Sequence, residues 1–373
     1  MALAAVVALS IWDHPGSDYR HSDFFQFWAA PRLLLEGRDP YSAPDWASIY
    51  QREATAPVAT PPPPERHVYP PWSAVVLLPL AAMPFRLAAA IWLVAQLSVV
   101  IAALRALSAA YIARREERVL LFGLAAAFQP LWLIVDGGNI TGFLLGLFTF
   151  AIVGTLARSP LAGVPIGLLA VKPHPFAIAV PALVAISGTR RMLVGGGALT
   201  FAALVALAVP FGPGLIGEWI AAALDLQATT GSNATVWTLD RVLPGGSGTA
   251  VTTAIAAIGA FLLWWRIRRP APAILAAGSV AISLFVAPHG WSYDGTLLLI
   301  TLAAILGRAG SAAGARRAAL LVVIAAVATL LPWTLYVVAF ARGGEEWSAL
   351  TPVAFFALLA VTSPRVETAR PRP

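Results

Sequence analysis

Four short motifs place ionisable side chains next to long apolar stretches of this 373-residue sequence. They are HSDFFQFW (21–28), VDGGNITG (135–142), VKPHPF (171–176) and APHGWSYDG (287–295). Charged groups are unfavourable in an apolar membrane environment and usually mark function there. The motifs supply carboxylates, a lysine and three histidines, which are the groups used for proton transfer and for binding an anion such as phosphate.

Asp23 stands at the start of a predicted amphipathic helix. Ser22 is a candidate N-cap, Gly37 is a candidate end, and apolar residues lie between them at helical spacing. We predict that this helix lies at the membrane surface, anchored by the aromatic residues that follow the carboxylate, which are Phe24, Phe25, Phe27 and Trp28. The Asp23 carboxylate favours the helix macrodipole, lies solvated in the loop, or acts as a general base.

Lys172 lies in an apolar stretch that is broken by two prolines on either side of His174. Prolines free backbone polar groups, and at membrane depth these groups need a cavity lined by protein or water. A cation in such a cavity suits a lipid-linked phosphate. The alternative is a lysine that reaches from a helix end to the membrane interface.

The other two motifs are turns between apolar segments. Two glycines favour a tight turn before Asn139, and the free N–H groups at the start of the next helix can bind an anion, although the same residues also make an ordinary turn. His289, Trp291 and Asp294 fall in the second turn. That turn is either a site for a phosphate or a metal ion, or an aromatic belt at the membrane interface.

The composition places these motifs in a membrane protein. The chain is 59% hydrophobic and only 12% charged, and apolar segments near the ~20 residues of a membrane span recur along it. We predict an all-α polytopic membrane protein with about 11–13 transmembrane or re-entrant helices. The chain has no cysteine, which excludes disulfides and thiolate chemistry.

The arginine clusters predict how the segments are oriented. If the segments alternate from residue 87 onward, the clusters all fall on one side, which we assign to the cytoplasm. They are at 113–118, 158, 190–191, 266–269, 308–317 and 365. The formal net charge of +7 is therefore a topology signal, and no nucleic acid is expected as a partner. The four motifs then share the outer face, provided that the segment 72–84, which contains Pro79, is broken or re-entrant.

We predict a single membrane domain over residues 1–373. Two long stretches belong to the outer face, namely 13–69, which contains the surface helix and the PPPP run, and 211–248. Residues 364–373 form a cytoplasmic tail. The short apolar segment 1–12 is interpreted as a membrane helix rather than a signal peptide, because it lacks a basic start and a cleavage site.

The order of these features resembles the glycosyltransferases of the GT-C superfamily, and specifically the mannosyltransferase-like family GT87. The resemblance spans most of the chain and lies in SDFFQFWAAPRLLLEGRDPYS, YPPWSAVVLLPLAAMPFRLAAAIWLVAQL, GNITGFLLGL, VKPHPFAIAVPALV and APHGWSYDGTLLLI. Two positions depart from the family pattern. This chain has GNIT where members often read Gly-Gln-x-Asn, and Tyr293 and Asp294 where members often carry histidine after the tryptophan.

The resemblance implies a GT-C-type bundle with a long external first loop, embedded in the cell membrane, whose active site lies on the extracytoplasmic side. It implies Asp23 as the catalytic base, a polyprenyl-phosphate sugar as donor, with mannose as the expected sugar, and a lipid or glycan as acceptor. The residues assigned to the donor phosphate are Lys172, His174 and His289, and the further site candidates are Tyr69, Asn139, Trp291 and Asp294. Several members of the superfamily use a divalent cation, and metal use by this chain stays open.

Two other functions fit the same sequence. Broken helices and polar groups at membrane depth are also features of transporters and lipid flippases. The long first outer loop, with its acid and surface helix, and the absence of a visible inverted repeat favour the enzyme over them. The third interpretation is a non-catalytic scaffold of the cell envelope, in which Asp23 would be dispensable.

Overall fold

A computed structural model describes residues 22–53, 67–229 and 234–363. The predicted apolar segment 1–12, the PPPP run at 61–64 and the tail 364–373 lie outside the described residues. Within them all regular structure is helical. The α-helices are α1 (Asp23–Leu35), α2 (Ala43–Arg52), α3 (Pro71–Val76), α4 (Leu78–Ala81), α5 (Phe85–Tyr111), α6 (Arg115–Ala127), α7 (Gln129–Gly137), α8 (Thr141–Leu156), α9 (Gly163–Leu168), α10 (Ala179–Ile186), α11 (Arg190–Ala208), α12 (Leu215–Thr229), α13 (Val236–Leu239), α14 (Ser247–Arg268), α15 (Pro272–Val286), α16 (Leu298–Gly310), α17 (Gly314–Arg342) and α18 (Leu350–Thr362).

Four of the described helices are long and apolar enough to cross a membrane: α5, α11 with a short extension, α14 and α17. The pair α6 and α7, bent by 51° where Pro130 follows the break, makes a fifth if it is counted as one span. The predicted all-α polytopic membrane fold is confirmed. Full-length spans are fewer than the apolar segments of the sequence, because prolines and glycines bound or divide the other segments into shorter helices.

Short 3₁₀ turns join several of these shorter helices, at Pro160–Ala162, Leu169–Val171, His174–Phe176, Val209–Phe211, Ser292–Leu297 and Glu346–Ala349. The predicted break near Pro79 is also present. The chain forms α3, leaves the helical conformation at Leu77 (φ −98°, ψ 1°) and continues as the single turn of α4. The segment 72–84 is therefore a broken helix rather than a span.

Several arginine-bearing turns meet at one end of the bundle, which we call the arginine end and define by the turns 113–118, 266–269 and 308–317. The Tyr111 hydroxyl donates to a carbonyl at the start of α15 (2.8 Å). Arg317 pairs with Glu117 (Nη2 to Oε1, 2.5 Å), and Arg268 donates to the carbonyl of Ser363. These contacts bring together turns that the alternation of the apolar segments predicts on one side of the membrane.

Helix α5 leads from the arginine end to the opposite end, where α1 packs. Its 27 residues span about 40 Å at 1.5 Å per residue. At its first residue, the ring of Phe85 lies 5.4 Å from the ring of Phe24 and 6.1 Å from that of Phe25, measured between centroids. Helix α1 and Asp23 therefore lie at the end away from the arginine clusters, which we call the site end.

The core is formed by helices that are apolar on all sides. Almost every residue of α15 and α16 is buried, as expected for helices surrounded by other helices. Helices α9 and α11 approach closely through glycines. A side chain at Gly163 would place its Cβ 2.5 Å from the carbonyl oxygen of Met192 and 2.8 Å from the Cα of Gly196, so only glycine fits there.

Candidate functional site

A cavity of about 440 Å³ opens at the site end. Six of the eight residues predicted for the site line it, and they come from four distant parts of the chain. The six are Asp23, Tyr69, Lys172, His174, His289 and Trp291. The other two, Asn139 and Asp294, are buried behind the cavity wall and hydrogen-bond to residues that line it.

The first turn of α1 holds Asp23 against the turn that follows α7. The backbone N–H of Phe25 donates to the Ser22 hydroxyl (3.3 Å), which confirms the predicted N-cap. The side-chain amide of Asn139 donates to Asp23 Oδ2 (3.2 Å). Gly138, in the left-handed region at φ 67°, ends α7 and turns the chain so that Asn139 faces Asp23.

The four aromatic residues after Asp23 are buried in protein, which differs from the predicted anchor at the membrane surface. Phe27 stacks on Trp92 with ring centroids 5.5 Å apart, and it lies 4.7 Å from the ring of Tyr69. The indole N–H of Trp28 donates to the carbonyl of Met83 (3.0 Å). Helix α1 is therefore fixed by packing on α3, α4 and α5, and its rings hold Asp23 in place from the protein side.

A buried ion pair lies where Lys172 lines the cavity. Lys172 Nζ lies 2.5 Å from Asp294 Oδ1, and each side chain is only 2% exposed. The hydroxyl of Thr141 and the backbone N–H of Trp291 lie within hydrogen-bond distance of the same carboxylate, at 2.9 and 3.1 Å. Burial disfavours the charged form of Asp294, but the nearby ammonium outweighs it and holds the pKa of this carboxyl below its usual range.

The prolines of the VKPHPF motif place Lys172 in the cavity wall. The chain leaves one 3₁₀ turn at Val171, adopts an extended-like φ of −150° at Lys172, and enters the next turn at His174. The indole N–H of Trp72 donates to the carbonyl of Ala170 (2.9 Å), which satisfies a backbone group freed by the break. The predicted helix break is confirmed, and it directs the lysine inward rather than to the membrane interface.

Hydrogen bonds connect the ion pair to Asp23. Asn139 Oδ1 accepts from the backbone N–H of Thr141 (3.0 Å) and lies 2.7 Å from its hydroxyl. The same hydroxyl is 2.9 Å from Asp294 Oδ1, and its one proton serves one acceptor at a time. Asp23, Asn139, Thr141, Asp294 and Lys172 thus form one continuous polar chain between two side chains that line the cavity.

The two histidines stand beside Lys172. Their ring centroids lie 5.9 Å apart, and His289 Nε2 accepts from the indole N–H of Trp291 (3.0 Å). Burial, together with the positive charge of Lys172, lowers the pKa of His289 to about 4, so this imidazole is neutral at pH 7. Within the described part of the chain, Nε2 of His174 is buried and has no hydrogen-bond partner.

More than half of the chain matches a known protein family. The model of glycosyltransferase family 87 matches residues 67–288, which is more than half of the chain. The chain belongs to glycosyltransferase family 87. No curated protein sequence matches it. The matched stretch contains Tyr69, Asn139, Lys172 and His174, whereas Asp23 precedes it and the 289–294 turn follows it.

Further residues of this glycosyltransferase contribute to the site but were not among the predicted ones, and Thr141, which joins Asn139 to Asp294, is one of them. Gln26 and Trp219 line the cavity, and Glu345 accepts from both the backbone N–H and the hydroxyl of Ser292, each at 2.7 Å. Gln26 could have been found from its position one helical turn after Asp23. The contact of Glu345 with the 288–294 turn joins two parts of the chain that no local pattern connects.

The described residues of the glycosyltransferase contain no group of three His, Cys, Asp or Glu side chains that could hold a metal ion. The residues considered from the sequence as ligands, namely Asp23, His289 and Asp294, therefore do not form such a group. The carboxylate of Asp294 is instead occupied by Lys172, Thr141 and a backbone N–H.

Proposed function

We propose that this membrane glycosyltransferase transfers mannose from a polyprenyl phosphate to a hydroxyl of a lipid or glycan acceptor, with Asp23 as the general base. The observation that carries the proposal is the cavity itself. It presents one carboxylate on α1 and a lysine with two histidines from other parts of the chain. Proton removal and phosphate binding are the two tasks of such a transfer, and these groups suit them.

The Asp23 carboxylate would accept the proton of the acceptor hydroxyl as that oxygen forms a bond to the anomeric carbon. The bond between this carbon and the phosphate oxygen breaks, and the electron pair leaves with the lipid phosphate. Attack on the face opposite the leaving group inverts the anomeric configuration. Because phosphate is a good leaving group, one base suffices and no second carboxylate is needed at glycosidase spacing.

Lys172 and the histidines would stabilise the charge that grows on the leaving phosphate. An ammonium has three N–H donors, and Asp294 accepts from Lys172 at only one of its oxygens. In our proposal the donor phosphate shares Lys172 with Asp294. The neutral imidazole of His289 and the unpaired nitrogen of His174 supply further hydrogen-bonding groups without adding charge.

We further propose that the site end faces the outside of the cell membrane and the arginine end faces the cytoplasm. The absence of cysteine from the chain permits a clean labelling test with the exposed positions Gln51→Cys and Arg115→Cys. A membrane-impermeant maleimide should label position 51 in intact cells and position 115 only after permeabilisation. Labelling of both positions from the same side would contradict this orientation.

The transfer is tested with the purified full chain in lipid nanodiscs. Radiolabelled polyprenyl-phosphate-mannose is the donor, polyprenyl-phosphate-glucose and a nucleotide sugar are the comparison donors, and a membrane lipid extract supplies acceptors. We expect transfer from the mannose lipid only. Asp23→Asn should lower the rate by about 10²–10⁴-fold, the range that a general base contributes.

The matched control is Asp136→Asn, the same change at an exposed carboxylate near the Asn139 turn that does not line the cavity. This variant should transfer at the wild-type rate. Equal transfer by Asp23→Asn and the wild type would remove Asp23 from the mechanism. Movement of the labelled lipid across the bilayer without sugar transfer would instead support the transporter or flippase, which family membership disfavours.

A further inference from the structure

The side chain of Gln26 has an unusual environment. It lies on α1, three residues after Asp23, and lines the same cavity. Its Oε1 is buried and has no hydrogen-bond partner among the described residues. Buried polar atoms in folded proteins are nearly always paired, so an orphan beside a cavity points to a partner that the protein does not supply.

The residues on either side of Gln26 in the sequence, Phe25 and Phe27, are apolar and buried. Asp23 and Gln26 are the two polar side chains that this part of α1 presents to the cavity. Residues three apart on a helix share one face, with Cβ atoms about 5–6 Å apart. The Asp23 carboxylate and the Gln26 amide are therefore presented side by side to whatever occupies this part of the cavity.

We infer that Gln26 hydrogen-bonds to a second hydroxyl of the acceptor, adjacent to the hydroxyl that Asp23 deprotonates. An amide both donates and accepts, which matches a hydroxyl group. The acceptor is then a vicinal diol, such as a sugar or a polyol, rather than an isolated alcohol. This inference rests on the proposed function, because it takes Asp23 to mark where the acceptor binds.

The position of Gln26 assigns it to the acceptor rather than to the donor phosphate. It shares α1 with the base, whereas Lys172 and His174 come from the broken segment after α9. A site built to bind a hydroxyl rejects an analogue that lacks it, since the amide is then left unpaired. Gln26 therefore acts as a specificity-determining residue.

The test uses octyl α-mannoside and its four monodeoxy analogues as acceptors, with polyprenyl-phosphate-mannose as donor. The analogue that lacks the attacking hydroxyl cannot accept mannose. Of the other three analogues, one should lose about 10–100-fold in kcat/KM with the wild type, as expected for one buried hydrogen bond. With the parent glycoside, the kcat/KM of Gln26→Met should lie below that of the wild type by a similar factor. With that analogue, the kcat/KM of the variant should fall no further. The control Gln51→Met, at an exposed position outside the cavity, should retain the full wild-type pattern.

A Gln26→Met variant that keeps the wild-type penalty for every deoxy acceptor would overturn the inference while leaving the proposed function intact. Gln26→Met could instead relieve only a loss of kcat/KM that a deoxymannose donor causes. That result would also overturn the inference, because Gln26 would then bind the donor sugar. No transfer by the wild type to any acceptor would remove the proposed function, and this inference with it.

Thermal unfolding of the substrate-free protein gives a readout that needs no acceptor. If the amide awaits a ligand, Gln26→Met should unfold at the wild-type temperature or above it, because the variant no longer buries an unpaired oxygen. If the amide holds the fold together, the variant should unfold several degrees lower. That second result would overturn the inference.

Discussion

The two ends of the helix bundle each contain an ion pair with N···O distances of 2.5 Å, but the two pairs have different surroundings. At the site end both Lys172 and Asp294 are 2% exposed, and the lysine borders a cavity. At the arginine end Glu117 is 1% exposed, whereas Arg317 is 26% exposed and reaches the surface. The first pair is closed off from solvent, and the second has one partner that water can reach.

This difference indicates what each pair does. A fully buried ion pair is weak evidence for stability, because removing two charges from water offsets most of their attraction. Its place beside a cavity with unpaired polar atoms instead suggests a functional site. The pair of Glu117 and Arg317 joins α6 to α17 and needs no ligand to explain it. Breaking the ion pair at the site end should therefore affect transfer and stability together, and breaking the pair at the arginine end should affect stability alone.

The largest effect is expected for Lys172→Met. It leaves the Asp294 carboxylate buried without its counter-charge, and breaking a buried pair in this way costs about 3–5 kcal/mol. We expect a large loss of unfolding free energy, measured by chemical denaturation in detergent, together with loss of transfer.

The informative control is the double variant Lys172→Met with Asp294→Asn, which removes both charges. Its stability should return toward the wild type, because no unpaired charge remains, whereas transfer should stay absent. If the double variant recovered transfer as well, Lys172 would be a structural residue and the contrast between the two ends would disappear.

A smaller effect is expected for Arg317→Met at the arginine end. Glu117 loses a charged hydrogen-bond partner, a change worth about 1.5–3 kcal/mol, and solvent can approach from the side that the guanidinium vacates. The unfolding free energy should fall by that amount. The transfer rate per folded molecule should match the wild type, and a lower rate would show that the two ends are coupled.

Much of the architecture could be predicted from local sequence. The N-cap at Ser22, the break near Pro79 and the break around Lys172 follow from residue types that act on their own neighbours. The grouping of arginine turns at one end follows from alternation along the chain, and Tyr111, Arg317 and Arg268 make contacts consistent with it.

The interior of the site could not be predicted in the same way. The sequence shows Lys172 and Asp294 as two separate polar positions 122 residues apart, and only the fold shows that they neutralise each other. The aromatic run after Asp23 looks the same in sequence whether it faces lipid or protein. Packing against α3, α4 and α5 decides that it faces protein, and those contacts depend on the tertiary arrangement.

The smallest effect is expected from changing Asn139, whose side-chain amide donates to Asp23 Oδ2 at 3.2 Å. Asn139→Asp keeps the size of the side chain and its contacts with Thr141 but replaces the donor with a second carboxylate. Two carboxylates at this distance resist simultaneous ionisation, so the apparent pKa values belong to the pair and the upper one is raised. A general base must be deprotonated to act, and the acidic limb of the pH–rate profile should therefore move to higher pH.

A shift of about one pH unit corresponds to a tenfold lower rate, or about 1.4 kcal/mol, on the acidic limb, and this loss should be recovered as the pH is raised. The matched variant Asn139→Ala removes the donor without adding charge, so it should lower the rate and move the limb to higher pH by less than Asn139→Asp, because only a hydrogen bond to the carboxylate is lost. If Asn139→Asp left the profile in place, Asp23 would not be the titrating base. The contrast between a functional end and a structural end would then have to rest on Lys172 and the histidines alone.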